Sequence, residues 1–567
     1  MSRTSGTPVG DDNARPCAGV PGSSSVAVEA SAHARPRPSP VPQHSDPTKP
    51  RNAIDGRDSG LLMLDDVGVG TRVRQFLLSP PVVLTAAMTI LAVLLNRHRL
   101  ALDLAGGRLL PVESLGQTWS SYLSSWHPVG GGSAAPAPAA LAVLGTLGLP
   151  VGSPAVAVSL LLLAALPLAA LSAYRASRDL PVSRERRALA AAGYALLPPA
   201  IAGLAQGRLD VVVAYLLLPL VLAGVAAVLR GGAVRGSTVR GSAGWLSTAA
   251  TTALGIAVLG AFAPLVHLMV LAVVLIGFVV VPAPRVTTPR RAVGLFAVVL
   301  LPLGLLVPWP AVVMQRPAVL LHGVGAVVPE HVPGWLRLLC LDPGGAGAPP
   351  WVGVVVVAAA VIALVLRPSR AMLPGLGLAL LGAGAVVLLT RLPMRPLAGG
   401  DPRPGFTGSA LLFAGCGLLW IVLLAGRTAA STRLCIPDRL RRAPWGRALS
   451  VTPWVGVATL SVAVALLGSS GPLTAGPPAG LPVLAPSLAA ELARADTSVL
   501  VIGAPGEPVR LTRSRTARFG DDDIAPLRAT GSRLERVAAA LRAGKPGETS
   551  AAIADVAATG VQFVVLP

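Results

Sequence analysis

The stretch LSTAATTALGIAVLGAFAPLVHLMVLAVVLIGFVVV, from Leu246 to Val281, decides the fold of this chain. It contains no acidic or basic residue other than His267. A helix needs roughly 20 apolar residues to cross a bilayer core of about 30 Å. The stretch is therefore long enough for two crossings, and Pro264 marks the turn between them because proline interrupts a helix.

Similar apolar stretches extend outward from this one to Phe76 and Leu467. Charged residues make up 13% of the chain, against roughly 25% in soluble proteins, which indicates an integral membrane protein. We predict an all-α polytopic fold with about eleven transmembrane helices. Their expected positions are 76–95, 154–174, 189–205, 211–229, 246–262, 265–282, 292–309, 351–366, 371–390, 406–426 and 452–468. The apolar piece Ala139–Leu149 is too short to cross, so we expect it to lie at the interface or to re-enter the membrane.

The net charge of +21 does not indicate nucleic-acid binding. All but two of the 47 basic residues are arginine, the exceptions being Lys49 and Lys545, and they fall mainly between apolar spans. Basic residues concentrate in cytoplasmic loops of membrane proteins. This pattern predicts a multi-pass cell-membrane protein whose N-terminus is cytoplasmic and whose C-terminus is extracytoplasmic, with no nucleic-acid partner.

The chain divides into three parts. Residues 1–70 lack apolar periodicity and are rich in Ser, Pro and Arg, which is typical of a disordered tail. Residues 71–470 form the multi-span domain, with a first outer loop at 96–138 and a long outer loop at 310–350. Residues 471–567 show a strand–helix–helix–strand pattern, which predicts a small extracytoplasmic α/β domain. Because such a fold normally continues past its last strand, our expectation for this domain includes truncation.

The first outer loop concentrates the polar chemistry. Asp103 is placed to act as a general base on an acceptor hydroxyl, with Glu113 as the alternative. The aromatic and histidine side chains there offer flat faces for sugar rings and a hydrogen bond: Trp119, Tyr122, Trp126 and His127. The competing interpretation is an interfacial aromatic belt with solvated acids.

In the long outer loop, Arg316 and Arg337 are suited to hold a lipid-linked phosphate, because guanidinium groups bind phosphate bidentately. We expect no metal and no cofactor, since His322, Glu330 and His331 match no compact ligand spacing. Three successive acids, Asp521–Asp523, are similar to the Asp-x-Asp motif of nucleotide-sugar transferases. We interpret them as a solvated turn, because no nucleotide-binding domain surrounds them.

Three motifs carry a family resemblance: GGRLLPV (106–112), WSSYLSSWHPVGGGSAAPAP (119–138) and AAAGYALLPPAIAGLAQGRLDVVV (190–213). They resemble the membrane region of large actinobacterial family 2 glycosyltransferases, which join a cytoplasmic GT-A domain to many spans. More broadly, the chain resembles GT-C glycosyltransferases of the arabinofuranosyltransferase type. Those enzymes use polyprenyl-phosphate sugars and carry a catalytic acid in the first outer loop, where Asp103 is the best match. This chain lacks the GT-A domain and the usual paired acid motif.

The resemblance implies a GT-C-like membrane glycosyltransferase, or its membrane half, that builds cell-envelope glycans on the outer face. Its expected partners are membrane lipid, a polyprenyl-phosphate-linked sugar, an envelope glycan acceptor and a separate cytoplasmic glycosyltransferase domain. Two alternatives stay open: a non-catalytic membrane partner of such a transferase, and a flippase or transporter of lipid-linked sugars. The scarcity of carboxylates within the spans argues against ion-coupled transport.

Overall fold

The computed structural model describes the larger part of the chain beyond residue 76. The described residues are 77–98, 100, 102, 104–107, 109–127, 129, 132–231, 244–282, 287–325, 332–347, 349–366, 368–431, 473–475, 487, 490, 491, 494, 498–503, 509–512, 518–525, 528–558 and 561–565. The tail at 1–70 and the expected span at 452–468 lie outside them.

The described chain is mostly helical. Its α-helices are α1 Pro80–Leu95, α2 Leu115–Leu123, α3 Ala139–Gly148, α4 Pro154–Ala176, α5 Arg184–Ala195, α6 Pro198–Gln206, α7 Leu209–Leu229, α8 Gly244–Phe262, α9 Pro264–Val280, α10 Thr288–Leu305, α11 Trp309–Gln315, α12 Pro317–His322, α13 Trp335–Leu339, α14 Trp351–Leu366, α15 Leu373–Arg391, α16 Gly408–Ser431, α17 Arg528–Ala543 and α18 Pro546–Ala557. Its strands are β1 Leu104–Gly106, β2 Leu473–Ala475, β3 Ser498–Val501, β4 Arg510–Thr512 and β5 Val561–Val565.

Six helical segments in the described part are long and apolar enough to cross a membrane, and they establish a multi-pass membrane protein. They are Pro154–Asp179, Leu209–Leu229, Gly244–Phe262, Thr288–Leu305, Arg370–Arg391 and Gly408–Ala425. Shorter apolar helices occupy three further predicted positions, at Pro80–Leu95, Pro264–Val280 and Trp351–Leu366. The predicted membrane character is confirmed, whereas the number of eleven spans and the orientation of the termini stay predictions.

The expected span at 189–205 is a bent pair of helices, α5 and α6, that meet at 45°. The break falls at Leu197, whose backbone is extended (ψ 133°) just before Pro198 and Pro199. Proline disfavours the helical conformation in the residue before it and is accepted in the first turn of a new helix. α6 then ends at Gly207, which adopts a left-handed conformation with φ 72°.

The membrane helices pack through residues with small side chains. α4 lies against α1, α5 and α7, while α8 lies against α7 and α10. α15 and α16 make the most extensive pair, and glycines on both helices face each other's backbone: a Cβ on Gly382 would stand 2.7 Å from Ala414 N, and one on Gly417 would stand 2.6 Å from Ala379 N. Small residues allow such close approach between helices in lipid.

In the C-terminal part, the predicted strand–helix–helix–strand order is confirmed. β3 pairs antiparallel with β4 and parallel with β5, in the order β4-β3-β5. The crossover between the parallel strands runs through α17 and α18, as parallel pairing requires. Apolar side chains of the sheet and both helices close a small core: Leu500, Ile502, Leu534, Val537, Ala538, Ala552, Val556 and Val561.

The first loop is tied to distant parts of the chain. β1 pairs antiparallel with β2, with Leu104 opposite Ala475, and Leu104 N donates a hydrogen bond to Ser159 Oγ in α4 (3.2 Å). These contacts fix the loop against both the membrane helices and the residues that precede the C-terminal sheet.

The close contact of α15 and α16 is tested by replacing Gly382 with leucine. The added side chain meets the backbone of α16, and overpacking of this kind costs about 1–3 kcal/mol of unfolding free energy. Gly384→Leu is the matched control, because a Cβ at Gly384, in the same helix, meets nothing within 4 Å. Thermal unfolding of the full chain in detergent is expected to show a lowered midpoint for Gly382→Leu alone. Equal midpoints for both variants would contradict the packing.

Candidate functional site

A cavity of about 850 Å³ lies where the first loop, the α11–α12 connection, the loop after α15 and the C-terminal part meet. We call it the junction cavity. Its wall carries an unusual share of charged side chains: Glu113, Arg316, Arg395, Arg510, Arg518, Asp521, Asp522 and Glu535. Apolar groups such as Leu141, Leu397 and Phe519 complete the lining. Large pockets with a few convergent polar groups are the usual form of a binding site.

Glu113 stands at the first-loop side of the junction cavity, just before α2. Its Oε2 accepts a hydrogen bond from Ser121 Oγ (3.1 Å), and its Oε1 forms an ion pair with the Arg518 guanidinium. The side chain of Glu113 is only 12% exposed. Both carboxylate oxygens therefore have partners, and Glu113 is suited to hold Arg518 in place.

His127 is buried and also lines the junction cavity. Its backbone exchanges two hydrogen bonds with Ser133 (2.7 and 2.8 Å), and Ser133 Oγ donates to Ala525 O (2.6 Å). His127 Nε2 has no hydrogen-bond partner among the described residues. Burial lowers the pKa of His127 below its usual value, so a neutral ring offers one hydrogen-bonding atom to a ligand.

The interpretation of Asp521–Asp523 as a solvated turn is wrong. These residues form a 3₁₀ turn that follows Gly520, whose φ is 95°. Asp521 and Asp522 line the junction cavity, and Asp523 is buried beneath it. The sequence carries no local signal for this burial, because it is produced by contacts with segments far away in the chain.

Asp521 has the environment of a general base. Its Oδ2 accepts a hydrogen bond from Arg518 N (2.9 Å). Burial, reinforced by the charge of Asp522, raises the pKa of Asp521 to about 6 against the lowering effect of that hydrogen bond. A catalytic base works best with a pKa near the operating pH, and Asp521 has this property where an ordinary aspartate does not.

The four arginines of the cavity wall fall into two groups. Arg510 is ion-paired with Asp522 (2.8 Å), and Arg518 with Glu113. Arg316, half-buried at the junction of α11 and α12, and Arg395, in the loop after α15, form no ion pair with any described residue. These two side chains can therefore meet an anionic group without first giving up a carboxylate partner.

Of the residues that the sequence predicts for the site, the structure brings Glu113, His127 and Arg316 together at the junction cavity. Asp103 lies outside the described residues, so its role as a base stays a prediction. Arg337 is exposed on α13, away from the cavity wall. Arg395 and Asp521 are cavity residues that the sequence analysis did not select.

The predicted sugar-binding aromatics lie beside the cavity rather than in its wall. The Trp119 ring packs against Gly145 of α3 and meets Tyr122 edge-on, with ring centroids 6.1 Å apart. Trp126 is 53% exposed and lies over Gly132. Their contact with a sugar stays a prediction, and Trp119 has a visible packing role in addition.

No group of three or more His, Cys, Asp or Glu side chains is arranged to hold a metal ion in the part of the chain that the structure describes. Glu330 and His331, which the sequence analysis weighed as ligands, lie outside that part. His322 is buried, and its Nε2 lies 3.2 Å from Arg403 O.

The ion pair of Glu113 and Arg518 is tested by a double-mutant cycle with Glu113→Gln and Arg518→Gln. We expect a coupling of about 1 kcal/mol in unfolding free energy, since the pair is only partly exposed to solvent and salt. The exposed pair of Lys545 and Glu548, at the start of α18, is the matched control and is expected to give a smaller coupling. Additive effects of the two substitutions at Glu113 and Arg518 would show that the contact contributes nothing.

No family model and no curated protein matches this chain. Among solved structures, it is similar to a cryo-EM structure of arabinofuranosyltransferase AftD from Mycobacteria, with a TM-score of 0.47 and 17% identity. That likeness covers 74% of this chain and 29% of the other. A structure of a mutant of the same protein gives a TM-score of 0.47 and 16% identity, over 78% of this chain and 32% of the other. The chain thus spans about a third of the length of these larger proteins.

Proposed function

We propose that this chain is a membrane glycosyltransferase, or the membrane half of one, that transfers a sugar from a polyprenyl-phosphate donor to a cell-envelope glycan on the outer face. One observation carries the proposal. The junction cavity is lined by a carboxyl group with a raised pKa, Asp521, and by two arginines without carboxylate partners among the described residues, Arg316 and Arg395.

The carboxyl group of Asp521 and the pair of arginines match the two changes in charge that occur during sugar transfer. The acceptor hydroxyl loses its proton to the base as its oxygen bonds to the anomeric carbon. At the same time the bond from that carbon to the phosphate oxygen breaks, and the lipid phosphate leaves with the bonding electrons. Asp521 is assigned the proton, and Arg316 and Arg395 are assigned the phosphate, because positioned cations stabilise charge on a leaving group.

The surroundings of the cavity fit a lipid-linked donor. The cavity borders α3 through Leu141 and the α11–α12 connection through Arg316 and Pro317, so it lies beside apolar helices. A polyprenyl chain has a hydrocarbon body that favours such a surface over water. His127 Nε2, without a hydrogen-bond partner among the described residues, supplies one hydrogen bond for a sugar hydroxyl.

The proposal places the base differently from the sequence resemblance, which favours Asp103. In the sequence, Asp103 comes directly before β1. Asp521 is carried instead by the C-terminal part, whose residues are far from Asp103 in sequence. Separate substitutions distinguish the two assignments.

We expect Asp521→Asn to lower the transfer rate by roughly 10²–10⁴-fold, the usual contribution of a positioned general base. The full chain in lipid would be assayed with radiolabelled polyprenyl-phosphate sugars and an envelope-glycan acceptor. Because Asp521 must be ionised to accept a proton, the wild-type rate is expected to fall as the pH drops through about 6. Glu548→Gln, at an exposed carboxylate of α18 outside the cavity, is expected to keep full activity.

Three results would contradict parts of this proposal. Transfer that survives Asp521→Asn and is lost in Asp103→Asn would move the base to Asp103. Transfer that appears only with an added cytoplasmic transferase would make the chain a non-catalytic partner. Movement of the lipid-linked sugar across the bilayer without formation of a glycosidic bond would make it a flippase.

A further inference from the structure

Asp523 is buried on the side of the 3₁₀ turn that faces away from the junction cavity. Its Oδ2 accepts a hydrogen bond from the backbone N of Gly325 (2.7 Å), 198 residues away in sequence. Asp523 does not line the cavity, although Asp521, Asp522 and Ile524 do. The residue therefore joins the turn that carries the proposed base to the loop that follows α12.

Gly325 belongs to a short loop that also faces a buried ion pair. Arg208 donates to both oxygens of Asp210, from Nε and from Nη2, at 3.1 Å each. A Cβ on Gly323 would lie 2.8 Å from Asp210 Oδ2, so the Asp210 carboxylate packs directly against the loop at 323–325. The loop thus has Asp210 on one side and Asp523 on the other.

The charges around Asp523 are unbalanced. Asp521, Asp522 and Asp210 add negative charge near it, while the nearby guanidinium of Arg208 is engaged by both oxygens of Asp210. His322 supplies no compensating charge, since burial lowers its pKa. No cation among the described residues forms an ion pair with Asp523. An ionised carboxylate in such a place is costly.

Residues 518–525 contain this turn and make further contacts with distant parts of the chain. We call them the docking segment. Phe519 N donates to Pro111 O (2.9 Å), and the Phe519 ring meets Phe262 with centroids 6.4 Å apart. That ring fills the space beside Gly325, where any Cβ would collide with it. Ser133 Oγ adds a bond to Ala525 O. Two ion pairs, Arg518 with Glu113 and Asp522 with Arg510, also hold the segment, and the Asp523–Gly325 bond joins it to the loop after α12.

We propose that Asp523 is a positioning residue whose protonated carboxyl holds the docking segment against the loop at 323–325. This contact keeps Arg518 and Asp521 in the wall of the junction cavity. Loss of the proton loosens the segment and withdraws both side chains from the cavity. The effect on catalysis rests on the proposed function. The docking and its pH dependence do not, since they concern only contacts within the chain.

The direction of the pH dependence follows from linkage. Burial first, and then the charges of Asp522, Asp210 and Asp521, raise the pKa of Asp523 to about 8, against the lowering effect of the Gly325 hydrogen bond. An exposed aspartate has an ordinary pKa of about 4. Between pH 4 and pH 8, Asp523 is therefore protonated in the docked state and ionised in the undocked state. Docking therefore weakens as the pH rises through this range and stays constant above about 8.

The window above pH 7 separates Asp523 from Asp521, His127 and His322, which also lie near the docking segment. Asp521, with a pKa of about 6, is mostly ionised there in both states. Burial lowers the pKa values of His127 and His322 in the docked state, and an exposed histidine has a pKa of about 6.5, so above pH 7 both rings are mostly neutral in either state. One proton released on opening makes the opening equilibrium rise by up to about tenfold per pH unit.

The test is hydrogen exchange of the Gly325 and Phe519 backbone amides in the full chain in lipid between pH 7 and 9. Both amides donate hydrogen bonds across the docked contact. After correction for the intrinsic base-catalysed rate, the wild-type opening equilibrium is expected to rise by several-fold to tenfold up to about pH 8, then level off. Asp523→Asn keeps a neutral acceptor for the Gly325 amide and removes the titration. Its opening equilibrium is expected to be flat.

Gly325→Ala provides a second variant. Its Cβ collides with the Phe519 ring and is expected to undock the segment at all pH values while leaving the membrane helices folded. An unchanged pH slope in Asp523→Asn, or protection of both amides that is independent of pH in the wild type, would overturn the proposal. Where transfer activity is measurable, an alkaline loss of rate present in the wild type and absent in Asp523→Asn links docking to catalysis. A failed transfer assay leaves the exchange result intact, so the two proposals fail separately.

Discussion

The buried ion pair of Arg208 and Asp210 is the interaction on which the arrangement of the site depends. Arg208 reaches three separate segments: it pairs with Asp210 at the start of α7, donates from Nη2 to His322 O (2.9 Å) and stacks on the Phe406 ring at 3.9 Å. Removing one partner of a buried pair costs about 3–5 kcal/mol because the other charge is left uncompensated. The loop that holds Asp523, the segment before α16 and the first turn of α7 are thus fixed relative to one another.

The junction cavity exists because chain segments distant in sequence converge above that ion pair. The first loop supplies Glu113 and His127, the α11–α12 connection supplies Arg316, and the C-terminal part supplies Asp521. Each wall is anchored by contacts that cross between segments, such as the pairing of β1 with β2 and the bond from Ser133 to Ala525. A site assembled in this way is sensitive to how the C-terminal part is docked.

Electrostatics gives the cavity its chemical character. Three carboxyl groups follow one another in the turn at 521–523 and experience different surroundings. Asp522 is held by Arg510, the half-buried Asp521 accepts a hydrogen bond from a backbone N–H, and Asp523 faces further negative charge in the interior. Burial raises the pKa values of Asp521 and Asp523 to different extents, so that one turn carries the ion-paired Asp522, the proposed base and the proposed docking contact.

The sequence predicts the parts of the fold that have local causes. Apolar stretches locate the membrane helices, and the alternation of strand and helix patterns locates β3, α17, α18 and β5. The break between α5 and α6 also has a local cause, the two prolines Pro198 and Pro199, but hydropathy alone does not indicate this break. In contrast, the burial of Asp523 depends on Gly325, and the cavity position of Asp521 depends on docking, so neither is visible in a local pattern.

The central claim, that the junction cavity receives a polyprenyl-phosphate sugar, is tested most directly by a cryo-EM structure of the full chain in lipid with such a donor. The account predicts density for the phosphate beside Arg316 and Arg395, with the sugar next to Asp521. Donor density at another place on the protein, with the junction cavity empty, would contradict it.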